Sequence, residues 1–239
     1  MKKNNIIFTS VLVALVMLFA SVYTLYEKTN QLSFTSTVPD KNITVVIDAG
    51  HGGVDGGTSG ADNSVEKDIN LKIAKKLETY LALYGIKTVM TRTEDITVAD
   101  ESAKTIKEKK TSDLKNRMKL INETPNSVLI SIHQNHYTSE KYVGTQVFYS
   151  GNNNESASLA MIIQSNVKEY LQKDNNRLTK MATDDLFLLY QAQRPSVMVE
   201  CGFMSNPQEN KKLQNEEYQS QLAYCIALSV NEYINQLSI

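Results

Sequence analysis

Cysteine is scarce in this chain: Cys201 and Cys225 are the only two among 239 residues. They make neither a metal-binding spacing nor a disulfide framework. Both read as small buried residues, the usual habit of a free thiol, and a single disulfide between them stays open. An excess of charge of either sign is also missing. The 25 Lys and Arg nearly cancel the 26 Asp and Glu, leaving a net charge of −1. No polyanion-binding surface follows, which excludes nucleic acid as an expected partner. There is no internal repeat and no second folded domain. The length fits one medium domain with a small appendage. The 12 tyrosines are scattered over predicted helices and read as partly buried core, not as a sugar-binding platform. Histidine is the other scarce residue, with three in all.

The appendage is N-terminal. Lys2 and Lys3 precede an uncharged stretch, residues 4–26, whose centre at 11–20 is apolar throughout. It is long enough to span a bilayer, and the lysines place the N-terminus in the cytoplasm. A cleaved signal peptide is the alternative, because Ala20 and Ser21 follow the apolar centre. No small-x-small cleavage site stands out, which favours an uncleaved anchor. Either reading exports the rest of the chain. Residues 27–42 are polar and read as a tether, leaving 43–239 as the folded domain.

In that domain the apolar run 43–47 predicts a buried strand. Residues 50–60 hold six glycines and form a loop. Asn63 reads as a helix cap, with Glu66 three residues on. Ile69, Ile73, Leu77 and Leu81 then recur every four residues, one helical face. Tyr84-Gly85 stops this helix. Further strands are predicted at 86–91, 127–132, 144–149 and 196–200. Helices are predicted at 113–122, 156–171 and 218–237. The charged run 98–110 reads as a mobile connection or an exposed helix. Strands alternating with helices predict a single three-layer α/β domain with a mostly parallel twisted sheet. Ligands in such sheets sit beyond the strand carboxyl ends.

Two of the three histidines occupy such ends. His51 follows the first strand in Ile47-Asp48-Ala49-Gly50-His51-Gly52-Gly53, and His133 ends Val128-Leu129-Ile130-Ser131-Ile132-His133. Either alone is most simply a solvated or satisfied histidine. Together with a carboxylate they suit a catalytic zinc, which takes three protein ligands and leaves its fourth position to water. Glu66, at the start of a helix, is joined to His51 by the flexible glycine loop, so the two can share a metal. Its bland reading is a favourable charge at a helix N-terminus. Glu200 ends Ser196-Val197-Met198-Val199-Glu200, where a carboxylate is costly to bury unless paired or near a metal. It is the candidate general base. His136 lies in a polar loop and reads as an exposed or substrate-contacting residue. Asp48, Asp55 and Asp68 either orient metal ligands or are turn and helix-start residues.

These motifs, with Glu66-Lys67-Asp68, Thr91-Arg92 and Val199-Glu200-Cys201-Gly202-Phe203-Met204-Ser205-Asn206, resemble the zinc-dependent N-acetylmuramoyl-L-alanine amidases of the amidase-3 family. The resemblance covers nearly all of 43–237. It implies that His51, Glu66 and His133 bind one zinc ion and that Glu200 is the catalytic acid/base. It also implies that the substrate is peptidoglycan, cut between the lactyl group of N-acetylmuramic acid and L-alanine. Three departures touch substrate binding or regulation. Gln134 stands where relatives usually carry a small residue, and Tyr190 where many carry a basic one. The connection 134–143 is too short for the zinc-occluding helix that some relatives insert there.

A lone N-terminal anchor without cell-wall-binding repeats resembles the sporulation-specific branch. There, amidase action prepares the spore cortex for muramic-δ-lactam formation. The chain would then work at the outer face of the cytoplasmic membrane, anchored or secreted, in the forespore envelope space, with room for an activating protein partner. The rival readings are a vegetative cell-separation amidase, a zinc peptidase acting on stem peptides, and a non-catalytic peptidoglycan-binding module. The module would have no need of Glu200.

Overall fold

The computed structural model describes residues 42–237 together with Met17, Ala20 and Ser21. Apart from those three residues, the expected anchor or signal segment, 1–26, lies outside the described residues, and so does the tether, 27–42, except Asn42. No helix among the described residues is long and apolar enough to cross a membrane.

Six strands form one sheet in the order β2-β1-β3-β6-β4-β5. They are β1 (Thr44–Ala49), β2 (Lys87–Met90), β3 (Ser127–Asn135), β4 (Gln146–Tyr149), β5 (Lys180–Met181) and β6 (Ser196–Phe203). β1, β2, β3 and β6 run parallel, whereas β4 pairs antiparallel with β6 and carries β5 parallel to itself. The N-terminal parts of the central strands are apolar runs because both their faces are covered there. Side chains alternate between those faces. Val45, Ile47, Val128, Ile130, Val197 and Val199 belong to the larger core cluster. Val46, Leu129 and Met198 belong to the smaller one.

The helices are α1 (Glu66–Leu83), α2 (Ile106–Glu123), α3 (Glu155–Tyr170), α4 (Phe187–Gln191), α5 (Pro207–Leu213) and α6 (Glu216–Gln236). α1, α3 and α6 supply the larger cluster through residues such as Ile73, Leu77, Leu159, Ile163, Ile226 and Val230. α2 and α4 cover the other face through Met118, Ile121, Leu188 and Leu189. The result is the expected three-layer α/β domain with a mostly parallel sheet. Its mixed edge arises from pairings distant in sequence.

Several local readings are corrected. Asn63 does not cap α1. It lies in a turn at φ 66°, and the helix begins after Val65 with no side-chain cap. Its start is instead stitched to the glycine loop, where the Glu66 amide donates to the Thr58 carbonyl at 3.0 Å and the Lys67 amide to Gly56 at 3.1 Å. α2 starts at Ile106, earlier than expected, because Thr105 and Glu108 form a capping box. The segment before it is not a loose connection. Asp113 accepts from the Val98 amide at 2.8 Å, and Asn116 donates to the Val98 carbonyl at 2.8 Å. β5, α4 and α5 were not expected. The first two are too short to show a period. α5 carries the start signal Asn206-Pro207, with the Asn206 side chain capping it.

Candidate active site

The alternation that buries valines on one face sends Asp48, Ser131, His133 and Glu200 to the other. In register, Asp48 lies beside Ser131, and His133 beside Glu200. These residues sit at the carboxyl ends of three adjacent parallel strands, under α2 and α4. His51 joins them from the turn after β1, and Glu66 from the first residue of α1. His51, Glu66 and His133 each offer one ligand atom, all within 4.8 Å of one another. His51 Nε2 lies 3.3 Å from Glu66 Oε1, and His133 Nδ1 lies 3.1 Å from that same oxygen. The two rings meet edge to face, 4.9 Å between centroids.

His51 and Glu66 are each aimed from behind. Asp55 Oδ2 holds His51 Nδ1 at 3.0 Å and so turns Nε2 toward the cluster. Glu66, only 3% exposed, accepts at Oε2 from the Thr58 amide at 2.8 Å. Its Oε1 accepts from the Gln134 amide at 3.0 Å and from Asn70 Nδ2 at 3.2 Å. Two glycines make the space. A Cβ on Gly57, whose φ is +71°, would stand 2.4 Å from Glu66 Oε2, and one on Gly50 would stand 2.3 Å from the His133 ring. Gly50→Ala is therefore expected to displace His133 and lower zinc affinity at least about tenfold, as loss of ligand support does. Zinc retained after dialysis against a weak chelator reads this out. Retention equal to wild type would show that the ring has room to move.

The cluster gathers buried negative charge against two imidazoles. Burial works against the charge on Glu66, but the bonds to His133 and His51 hold its carboxyl far below the usual range. Burial likewise opposes charge on His51, yet the bonds to Asp55 and Glu66 raise its imidazole to about 9. Two shared protons or one divalent cation would satisfy this cluster. Its spacing fits zinc. Two bonds of about 2.1 Å at a tetrahedral angle part their outer atoms by about 3.4 Å, close to the two separations between the histidines and Glu66. Imidazole nitrogen and carboxylate oxygen are suitable donors, and three of them leave a coordination position open. Glu200 differs from the three. Burial, with the nearby Glu66 charge, pushes its carboxyl up to about 7. Its Oε2 is buried without a hydrogen-bond partner. A small cavity of about 60 Å³ adjoins the cluster, lined by His51, His133, Asp55, Lys110 and Leu188 among others.

Among the other sequence candidates, Asp55 orients His51, and Asp48 bonds none of the three convergent residues. Burial disfavours the Asp48 charge, but Arg117, at 2.6 Å, together with His133 and the Ser131 hydrogen bond, outweighs this and brings its carboxyl to about 2. Asp68 is an exposed helix-start residue, and His136 is exposed and outside the cluster. Gln134 turns away from the strand-end face and bonds Asn70 at 3.0 Å, so its side chain supports α1. Tyr190 is exposed on α4. The connection between Asn135 and Gln146 holds no helix. Reading by sequence missed Asn70 and Arg117. Arg117 was detectable, since it shares the inward face of α2 with Leu114, Met118 and Ile121.

The family model described as N-acetylmuramoyl-L-alanine amidase matches residues 45–232. The chain belongs to this family. It is 33% identical over 192 residues to the germination-specific N-acetylmuramoyl-L-alanine amidase of Bacillus subtilis, an alignment covering 80% of each chain. It is 26% identical over 241 residues to the amidase AmiA of Escherichia coli, covering 80% of this chain and 76% of that one. Among solved structures it is similar to the CwlD amidase of Clostridioides difficile in complex with the GerS lipoprotein. That match has a TM-score of 0.78 and 37% identity, and covers 81% of this chain and 98% of that one. This amidase thus shares its catalytic fold and most of its length with relatives named for the same activity.

Proposed function

We propose that this amidase holds one zinc ion between His51, Glu66 and His133, and uses Glu200 as the acid/base in cutting the bond between N-acetylmuramic acid and L-alanine of peptidoglycan. The observation that carries this reading is the unpartnered Glu200 oxygen, one strand over from His133 and beside three convergent donors. Zinc at that position would polarise the scissile carbonyl and make water a competent nucleophile near neutral pH. Glu200 accepts a proton from the attacking water as the C–O bond forms. It returns that proton to the amide nitrogen as the C–N bond breaks. The products are a lactyl carboxylate and a stem peptide with a free L-alanine amine. Asp55 keeps the His51 ring oriented throughout, and Asn70 and the Gln134 amide hold the Glu66 carboxylate.

The relatives also support a biological setting. Similarity to the germination-specific enzyme and to CwlD supports work on the spore cortex, where the exposed lactyl carboxylate would be the precursor of muramic-δ-lactam. Residues 1–26 would anchor or export the chain, 27–42 would tether it, and 43–239 would form the catalytic domain outside the cytoplasmic membrane. The lipoprotein bound to CwlD supports an extracytoplasmic protein partner for this chain too.

Mass spectrometry of peptidoglycan digested by the full-length chain, with and without zinc, tests the chemistry. Stem peptides beginning with free L-alanine should be released only with zinc. Cleavage inside the stem peptide would make the chain a peptidase, and no release would make it a binding module. For the setting, cortex from cells lacking the chain should be depleted in muramic-δ-lactam. Normal lactam with chained, unseparated cells would point to vegetative division instead.

A further inference from the structure

We propose that Arg117, assisted by Arg92, is the positioning residue that sets how tightly this chain holds its metal. The inference rests on the reading of His51, Glu66 and His133 as zinc ligands. Those ligands come from a turn, a helix start and a strand end, three separate segments. The turn is the weak member. His51 sits at φ 61°, a left-handed backbone that residues other than glycine seldom adopt. Glycines follow it, and its local ties, the Asp55 bond to the ring and the Gly52–Asp55 backbone pair, leave the carbonyls of Ala49, Gly50 and His51 to be held from outside the turn.

The two arginines do so through the main chain. Arg117 Nη1 donates to the Ala49 carbonyl at 2.8 Å, and its Nη2 donates to the His51 carbonyl at 2.6 Å. Arg92 Nε donates to the Ala49 carbonyl at 2.9 Å, and its Nη2 donates to the Gly50 carbonyl at 3.0 Å. Three successive carbonyls leading into the ligand are thereby fixed. Both guanidinium groups are buried, with Arg117 and Arg92 each 2% exposed.

The same side chains tie the turn to the other two ligand carriers. Arg92 Nη2 also donates to the Lys67 carbonyl at 2.7 Å, the residue after Glu66. Arg117 Nη1 pairs with Asp48 Oδ1 at 2.6 Å, and Asp48 Oδ2 accepts from Ser131 Oγ at 2.6 Å. Ser131 precedes His133 by two residues on β3. Asp113, one helical turn before Arg117, fixes the Nε edge of its guanidinium. Neither arginine touches a ligand side chain. Each acts through the backbone that carries one, and the planar fork is what allows one side chain to hold several carbonyls. A lysine has the charge without the fork.

The test uses the metal-stripped full-length chain and its Arg117→Lys and Arg92→Lys variants. Zinc is titrated against a chromophoric chelator, and the visible spectrum of the cobalt-loaded protein is recorded. Melting of the metal-free proteins is followed alongside. Zinc affinity should fall roughly 10–100-fold in each variant, the usual effect of losing support behind a ligand, and the cobalt bands should change. A lowered metal-free melting temperature with wild-type zinc affinity and cobalt bands would overturn the proposal, because the arginines would then be structural only. If Arg117→Lys does not fold, Arg92→Lys decides: unchanged zinc affinity there overturns the proposal. His133→Ala separates the underlying reading. Wild-type zinc binding by that variant would refute the ligand set. An empty His133→Ala beside zinc-tight arginine variants would refute only the role of the arginines.

Discussion

Replacing His133 with alanine should empty the metal site and abolish turnover while leaving the fold in place. His133 sits near the end of β3, which is hydrogen-bonded on both sides within the sheet. No neighbouring segment can therefore slide over to replace the lost nitrogen. His136, three residues on, is exposed in the following loop and lies outside the convergent set. Two remaining ligands are too few for a catalytic zinc, which needs three from the protein. The loss should exceed the roughly 10–100-fold that removal of an outer partner costs in metal affinity or activity. Elemental analysis and turnover on a muramoyl-peptide, measured on the same preparation, should fall together. Zinc should also cease to raise the melting temperature, because ligand-linked stabilisation vanishes with binding. His136→Ala should keep its zinc. If His136→Ala lost zinc and His133→Ala kept it, the assignment of the second histidine would be wrong.

The candidate centre was partly legible because His133 and Glu200 lie near strand ends and His51 follows one closely, where sequence pattern is strongest. A polar residue closing an apolar run, as Glu200 and His133 do, must either pay for burial or emerge at the sheet's rim. The parallel register then brings β1, β3 and β6 side by side, so residues remote in sequence become neighbours. Glu66 was reachable because a glycine-rich loop of ten-odd residues can fold back on itself. What supports these residues was harder to see. Asp55 was one of several acidic candidates, and only the structure shows it against His51 Nδ1. The start of α2 was hidden because 107–110 is charged throughout, which removes the apolar period. The Thr105 and Glu108 capping pair was nevertheless present in the sequence. Asn63 misled because asparagine serves turns as readily as caps, and its positive φ belongs to a turn. The antiparallel edge of the sheet could not be read at all. Its pairing of β4 with β6 depends on contacts between segments some fifty residues apart, and no local pattern encodes strand order.

Glu200→Gln should separate chemistry from metal binding. Glu200 stands beside His133 in register, but it is not one of the three groups whose ligand atoms converge. A fourth protein ligand would close the coordination position that water needs, so Glu200 has to act through a proton. Glutamine keeps the shape of the side chain and removes its capacity to accept that proton. Zinc content should stay at the wild-type level, while turnover should fall by on the order of 10² to 10⁴, the usual worth of general acid–base catalysis. That range corresponds to about 3–5 kcal/mol of transition-state stabilisation. The metal-free protein should melt no lower than wild type. Glu200 Oε2 is buried without a partner, and a neutral amide is cheaper to hold there than a carboxylate. A gain in stability with a loss of rate is the signature expected of a group kept for function at the expense of the fold. Loss of zinc in this variant would make Glu200 a ligand. Full zinc with undiminished turnover would remove it from the reaction, and the proton acceptor would then have to be sought along the small cavity beside His51.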